Sequence, residues 1–354
     1  MSDVTWENPL GCDGFEFVEY SVPDQAQKQE LISLFEGLGF SAVADHRSKD
    51  VTLMRQGDIN FLINAEPFTH FSAFAKAHGP SVCSFAFKVA DARKALAYAL
   101  SQGAQLFEGK ADYMELKIPA VYGIGDSVLY FVDNQTGVDI YEVDFVFREG
   151  VDRHPKGAGL QLIDHLTHNV QRGNMEVWSS FYERIGNFKE AKYFDIEGKQ
   201  TGLFSRAMTA PCGKIRIPIN ESADDKSQIE EYLKEYRGEG VQHIALHTDD
   251  IYSTMRQLHA KGIKFQQTPS IYYEMVDERI PGHGEDLKTL EELQILIDGA
   301  PGDEGILLQI FTENAIGPVF FEIIQRKGND GFGEGNFQAL FESIEADQIR
   351  RGVV

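Results

Sequence analysis

Two stretches of the chain repeat each other, and the repeat restricts the possible folds more than any other feature. "VCSFAFKVAD" (Val82 to Asp91) and "VQHIALHTDD" (Val241 to Asp250) each read as an apolar strand closed by an acidic turn. Adding 159 carries Val82 to Val241, Ala86 to Ala245, Asp91 to Asp250 and Gly103 to Gly262. The segments that follow, "ARKALAYALSQGAQ" and "IYSTMRQLHAKGIK", both show helical apolar spacing and both stop at a glycine of the left-handed cap type. Self-similarity of this kind means that a supersecondary unit is used more than once.

A second pair lies upstream at an offset of 148: "FEFVEYSV" (Phe15 to Val22) and "IDHLTHNV" (Ile163 to Val170), each preceding an amphipathic helix. A third pair, at an offset of 180, is "GVDIYEV" (Gly137 to Val143) and "GPVFFEI" (Gly317 to Ile323), which matches Glu142 with Glu322. The growing offset places insertions in the second half. Tandem β-α-β-β-β modules, two to a domain, are the architecture of the vicinal-oxygen-chelate proteins. The expected fold is α+β: two domains, each a curled, largely antiparallel sheet around a cavity with helices outside. Residues 1–150 form the first and 151–354 the second, joined by the polar, Gly- and Pro-bearing segment from Arg148 to Gln161. A chain of 354 residues fits two domains.

The three shared strands carry His165, His243 and Glu322 in the second half, against Phe17, Ser84 and Glu142 in the first. Two imidazoles and a carboxylate on three strands facing one cavity make a facial donor set, which suits non-haem Fe(II) and oxygen chemistry. A single strand histidine is ordinarily a core residue. Glu322, in "PVFFEIIQ", is costlier to bury unless paired or metal-bound. The first half lacks both imidazoles and is expected to be a supporting duplicate without a metal.

Neighbouring histidines do not extend the set. His165 and His168 are three apart and fall on opposite strand faces. His243 and His247 share a face, but four strand residues separate them by roughly 13 Å. The glycines of "GNDGFGEGNF" lack the Lys-Ser/Thr of a phosphate loop and read as a turn into a last helix. In that helix Phe337, Leu340, Phe341 and Ile344 form one apolar face.

Charge narrows the partners. A formal −22, from 55 acidic against 33 basic residues, disfavours nucleic acid and anionic membrane. No stretch reaches the roughly 18 apolar residues of a membrane span, and the N-terminal residues show no secretory pattern, so a cytoplasmic address is expected. Cys12, Cys83 and Cys212, odd in number and without a CxxC, are expected to be free, inert thiols.

Seven stretches, "IDHLTHNV", "RIPINES", "KSQIEEYL", "GVQHIAL", "LLQIFTEN", "FFEIIQRKG" and "GFGEGNFQALFESIE", occur in this order, and together the chain resembles the 4-hydroxyphenylpyruvate dioxygenase family. The likeness spans essentially the whole length and is strongest from Leu160 onward. It implies Fe(II), one per subunit, held by His165, His243 and Glu322, and conversion of 4-hydroxyphenylpyruvate and O2 to homogentisate and CO2 in tyrosine and phenylalanine breakdown. It further implies polar pocket groups at Ser205, Asn220, Gln228, Gln242 and Gln309, with Phe311, Phe320, Phe332, Asn336, Phe337 and Leu340 as the substrate-facing wall. Relatives suggest a homodimer or homotetramer. The competing readings are 4-hydroxymandelate synthase, disfavoured by the "PIN" from Pro218 to Asn220 and by Phe337, and a metal-free ligand-binding protein of the same fold. A zinc or nickel isomerase or lyase would need a fourth protein ligand, and only three are found.

Overall fold

The computed structural model describes residues 6–111, 115–133, 137, 139–197, 202–299, 305–336 and 339. The first half contributes β1 (Cys12–Ser21), β2 (Ser41–His46), β3 (Val51–Gln56), β4 (Ile59–Asn64), β5 (Ser81–Val89), β6 (Ala120–Tyr122), β7 (Val128–Val132) and β8 (Phe145–Phe147). Among them run α1 (Gln25–Gly37), α2 (His70–His78), α3 (Ala92–Ser101) and α4 (Ile140–Asp144). The second half contributes β9 (Leu160–Val170), β10 (Lys189–Glu197), β11 (Gly202–Thr209), β12 (Arg216–Ser222), β13 (Gly240–Thr248), β14 (Leu296–Gly299), β15 (Ile306–Phe311) and β16 (Phe320–Lys327). Its helices are α5 (Met175–Gly186), α6 (Gln228–Tyr236) and α7 (Ile251–Ala260). The insertion foreseen in this half holds α8 (Ser270–Glu274), α9 (Val276–Arg279) and α10 (Leu287–Glu292).

Each half forms one eight-stranded sheet, in the orders β6-β7-β5-β1-β4-β3-β2-β8 and β10-β11-β12-β9-β13-β16-β15-β14. The central pairs, β1 with β5 and β9 with β13, are antiparallel. They are flanked by parallel neighbours: β4 beside β1, β12 beside β9, β7 beside β5 and β16 beside β13. The two sheets are thus one plan built twice. The acidic turns are helix caps, with Asp91 accepting from Lys94 N and Asp250 from Ser253 N. Gly103 (φ +88°) and Gly262 (φ +80°) end the helices in the left-handed conformation.

The duplicated plan includes its irregularities. In the β1–β5 ladder the partner register skips Glu16 and Cys83, and in the β9–β13 ladder it skips Asp164 and Gln242. Each is a β-bulge, an extra residue whose side chain leaves the normal alternation. The offsets of 148 and 159 map one pair of bulges onto the other.

The third sequence pair is corrected. From Asp139 onward "GVDIYEV" is not a strand: Asp139 accepts from Tyr141 N as a cap, and Ile140–Asp144 becomes the helical turn α4. Glu142 lies exposed there and pairs with Arg153 at 2.9 Å. In the second sheet Ala245 is paired with Glu322, and in the first sheet Ala86 is paired with Tyr130. Tyr130 on β7 is therefore the true counterpart of Glu322.

Residues 148–159 carry no helix or strand. They are pinned to the first sheet, with Gly57 N donating to Pro155 O (2.9 Å) and Ala158 N to Gln56 Oε1 (2.5 Å). The halves share a core in which Phe321 of β16 meets Phe35 and Phe61, ring centres 6.1 and 6.2 Å apart. One side of β16 is thereby clamped, and Glu322 points to the other. Among the described residues no helix is long and apolar enough to cross a membrane.

Candidate metal centre

His165, Ala245 and Glu322 lie in one row across β9, β13 and β16, because Ala245 pairs with both of the others. His243 sits two residues before Ala245 and so on the same face. The methyl group of Ala245 leaves room for three long side chains to converge above it. His165 Nε2 lies 3.2 Å and His243 Nε2 3.4 Å from Glu322 Oε2. All three donor atoms fall within 4.8 Å of one another.

Hydrogen bonds orient both rings. His165 Nδ1 is 2.8 Å from Asp164 Oδ1, and His243 Nδ1 is 3.0 Å from Gln242 Oε1. Both acceptors take an N–H, so each Nε2 keeps its lone pair for the centre. Thr167 Oγ1 lies 2.9 Å from His243 Nε2. Gln309 Nε2 donates to Glu322 Oε1 at 3.2 Å.

Burial favours the neutral carboxyl of Glu322, but the two imidazoles outweigh it and hold the group below the usual carboxylate range. Burial likewise opposes charge on His165, yet Glu322 and Asp164 reverse the effect and raise it. For His243 burial wins over Glu322 and the ring is shifted down. A buried carboxylate whose ion-pair partners among the described residues are two imidazoles suits a divalent cation. Adjacent donors about 3 Å apart match ligands roughly 2.0–2.2 Å from one ion. The residues fit a metal.

The first half cannot make this set. Where His165 and Glu322 converge over Ala245, Phe17 and Tyr130 converge over Ala86, ring centres 5.7 Å apart. Ser84, at the His243 position, donates to Glu19 Oε2 at 2.5 Å. Aromatic rings fill the place of the donors.

Beside the three ligands a cavity is lined by Ser205, Asn220, Phe311 and Phe332, four of the expected positions. Ser205 and Asn220 are directly paired across β11 and β12, which explains why both face it. Thr167, Phe194, Leu203 and Glu334 line it as well and were missed. An alternation pattern shows which face a strand residue takes, not which face borders a cavity. Pro218, noted only as part of a motif, also lines it.

Other expected positions fall behind the ligands. Phe320 stacks on the His243 ring at 4.8 Å. Gln242, turned by its bulge, and Gln309 support ligands rather than line the cavity. Asn336 is buried, donating from Nδ2 to Gln309 Oε1 (3.1 Å) and accepting from Tyr272 OH (2.6 Å). Gly333 is required beside it: its φ is +75°, and a Cβ there would stand 1.6 Å from Gln309 Oε1. Gln228 is not brought to the cavity. It opens α6 with its side chain exposed, since Ser227 caps the helix and Ile229, Tyr232 and Tyr236 form the buried face. Phe337 and Leu340, with most of the expected last helix, lie outside the described residues. His168 is core, bonded to Tyr182 OH at 2.7 Å, and His247 pairs with Asp249 at 3.2 Å.

Paired βαβββ modules curled around a two-histidine, one-carboxylate cluster define a metal-binding protein of the vicinal-oxygen-chelate class. Residues 6–146 match the family "Hydroxyphenylpyruvate dioxygenase, HPPD, N-terminal", and residues 162–274 match the "Glyoxalase/Bleomycin resistance protein/Dioxygenase superfamily". The chain is 62% identical to 4-hydroxyphenylpyruvate dioxygenase of Pseudomonas aeruginosa, covering 100% of this chain and 99% of that one. It is 63% identical to hemolysin VllY of Vibrio vulnificus over 98% of both. A solved mutant of 4-hydroxymandelate synthase from Streptomyces coelicolor superposes with a TM-score of 0.79 at 25% identity, covering 95% of this chain and 99% of that one. The chain belongs to the 4-hydroxyphenylpyruvate dioxygenase family.

Proposed function

We propose that His165, His243 and Glu322 hold one Fe(II), and that the cavity beside them takes 4-hydroxyphenylpyruvate and O2 and releases homogentisate and CO2, a step of tyrosine and phenylalanine breakdown. The observation that carries the reading is the buried donor set, with 3.2 and 3.4 Å separations, opening on a cavity walled by Phe311 and Phe332. Bound there, iron would supply O2 activation and attract the 2-oxo acid end of the substrate. The substrate brings its own oxo acid, so no second one is needed.

The chain's own groups orient the substrate and exclude water. Ser205 and Asn220 offer a hydroxyl and an amide to the polar ends of the substrate without adding charge. Phe311 and Phe332 line the cavity as apolar walls for its ring and keep water from the reacting atoms. Gln242 and Gln309 hold His243 and Glu322 in place. In this reading Phe337 and Leu340 complete the wall from the C-terminal segment, and Gln228 joins the pocket only if α6 turns. The division at residues 150 and 151, a cytoplasmic address and a homodimer or homotetramer belong to the same proposal. Fractionation and mass in solution test the last two.

Incubating the Fe(II) protein with 4-hydroxyphenylpyruvate and O2, and identifying the product by mass and retention, tests the reaction. Homogentisate with matched CO2 is expected. 4-Hydroxymandelate instead would move the chain to the activity named for its structural neighbour, and no turnover of iron-loaded protein would leave only ligand binding.

A further inference from the structure

His165 is gripped from behind by a charged relay. Asp164 is the extra residue of the β9 bulge, which brings its carboxylate to the imidazole that follows it. Both side chains are only 3% exposed. Arg326 of β16 holds the carboxylate with two parallel bonds, Nε to Oδ2 and Nη2 to Oδ1, each 2.8 Å. This fork fixes the plane of the carboxylate as well as its charge. Arg216 adds a more distant contact of 3.6 Å to Oδ2. The remaining Nη1 of Arg326 donates to the carbonyls of Asn329 (3.1 Å) and Gly331 (2.6 Å), in the loop that presents Phe332 to the cavity.

We propose that Asp164, locked by Arg326, is a positioning residue for the metal ligand His165, and that the same guanidinium ties this ligand to the loop bearing Phe332. An ionised acceptor at Nδ1 fixes the tautomer and ring orientation and makes Nε2 a stronger donor. His243 has only the neutral amide of Gln242 at the same place. The two imidazoles are therefore unequal ligands, and the stronger one is wired to the cavity wall.

The duplicate half supplies the contrast. Glu16 occupies the matching bulge, but it precedes Phe17 and stands 3.7 Å from Lys88 Nζ. An acid at this bulge is part of the scaffold. Only where the next residue is an imidazole does it orient a ligand.

The inference rests on the metal reading, and the test keeps the two apart. Metal-free protein is titrated with Co(II), following its visible absorption and competition with a chelator, alongside the melting temperature of the metal-free form. The unaltered chain should bind one ion, and His165→Ala should not. Asp164→Asn should lose about 10- to 100-fold in affinity and change the Co(II) spectrum. Because it leaves the Arg326 charge unpaired, Asp164→Asn/Arg326→Gln is measured beside it and should show the same loss with a melting temperature nearer the original. Original affinity and spectrum in a folded Asp164 variant, with only the melting temperature lowered, would reduce the relay to a structural ion pair and overturn the inference. No Co(II) uptake by the unaltered chain, or uptake undisturbed in His165→Ala, would overturn the metal reading and this inference with it.

Discussion

Gln309 donates to Glu322 across 3.2 Å while its carbonyl accepts from Asn336, so one buried amide links the carboxylate of the centre to the start of the C-terminal segment. Gln309→Leu breaks both bonds and leaves the Asn336 amide without its acceptor. The expected cost is about 1–3 kcal/mol of stability. Metal affinity should fall about 10- to 100-fold. Urea unfolding of the metal-free form and metal titration measure the two separately.

Removing a ligand should be far more severe than removing a neighbouring histidine. His165→Ala, His243→Ala and Glu322→Ala are each expected to purify without iron and without turnover, since a set of three has no spare donor. His168→Ala and His247→Ala should keep iron at the original stoichiometry. His168→Ala should lose about 1–3 kcal/mol of stability with its bond to Tyr182. Elemental analysis of anaerobically purified variants decides; an iron-free His247→Ala would contradict the strand register.

Ala245 provides a test that leaves every donor in place. It pairs with His165 on one side and Glu322 on the other, beneath the point where they converge. Ala245→Leu adds three carbons there, and overpacking of this kind costs about 1–3 kcal/mol. Iron content and turnover should fall together in protein that retains its circular dichroism. Full iron occupancy would show that the donors converge elsewhere.

His168 sets a pH dependence. Burial pushes its ring down to about 3, so the folded protein keeps it neutral where the unfolded chain, near 6.5, takes up a proton. Below pH 6.5 the unfolded state binds more protons, and this contribution to stability is lost as pH falls toward 3. From pH 7 to pH 5 the loss from this one group is about 2 kcal/mol. Urea midpoints at the two pH values should draw closer together in His168→Gln than in the unaltered chain.

The thiols are free, and Cys212 is set apart from the other two. Cys12 and Cys212 bring their sulfurs to 3.4 Å between β1 and the turn joining β11 to β12. The hydrogen bond from Cys12 draws the Cys212 thiol down to about 6, while the same contact and burial push Cys12 far up. Burial raises Cys83. Iodoacetamide at pH 7 should therefore modify Cys212 first and Cys83 last, as peptide mass mapping would show. Equal rates at all three would contradict the pairing.

The matched offsets of 148 and 159 were legible because they repeat local patterns: apolar alternation, an acidic cap and a left-handed glycine. Those patterns determine strand, helix and stop within a few residues, and they put His165 and His243 on matched strands, which the ladder pairs with His243 two residues out of level with His165. The third match misled for the same reason. "GVDIYEV" resembles a strand, yet the Asp139 cap makes it a helical turn, and only the ladder from β5 to β7 reveals Tyr130 as the counterpart of Glu322.

The sequence by itself therefore determined the duplication, the fold class and the two candidate histidines, because each rests on contacts within a strand or a helix, or on their repetition. Glu322 stood out by the cost of burying a carboxylate, not by its match. Tertiary structure alone decided which groups stand behind those ligands. Two bulges turn Asp164 and Gln242 out of the alternation that a linear reading assumes. Arg326 reaches Asp164 across 162 positions of chain, and Gln309 meets Glu322 only because β15 lies beside β16. A hydrogen bond needs its two atoms within about 3 Å. No local pattern encodes a distance between strands that become neighbours only when the sheet closes.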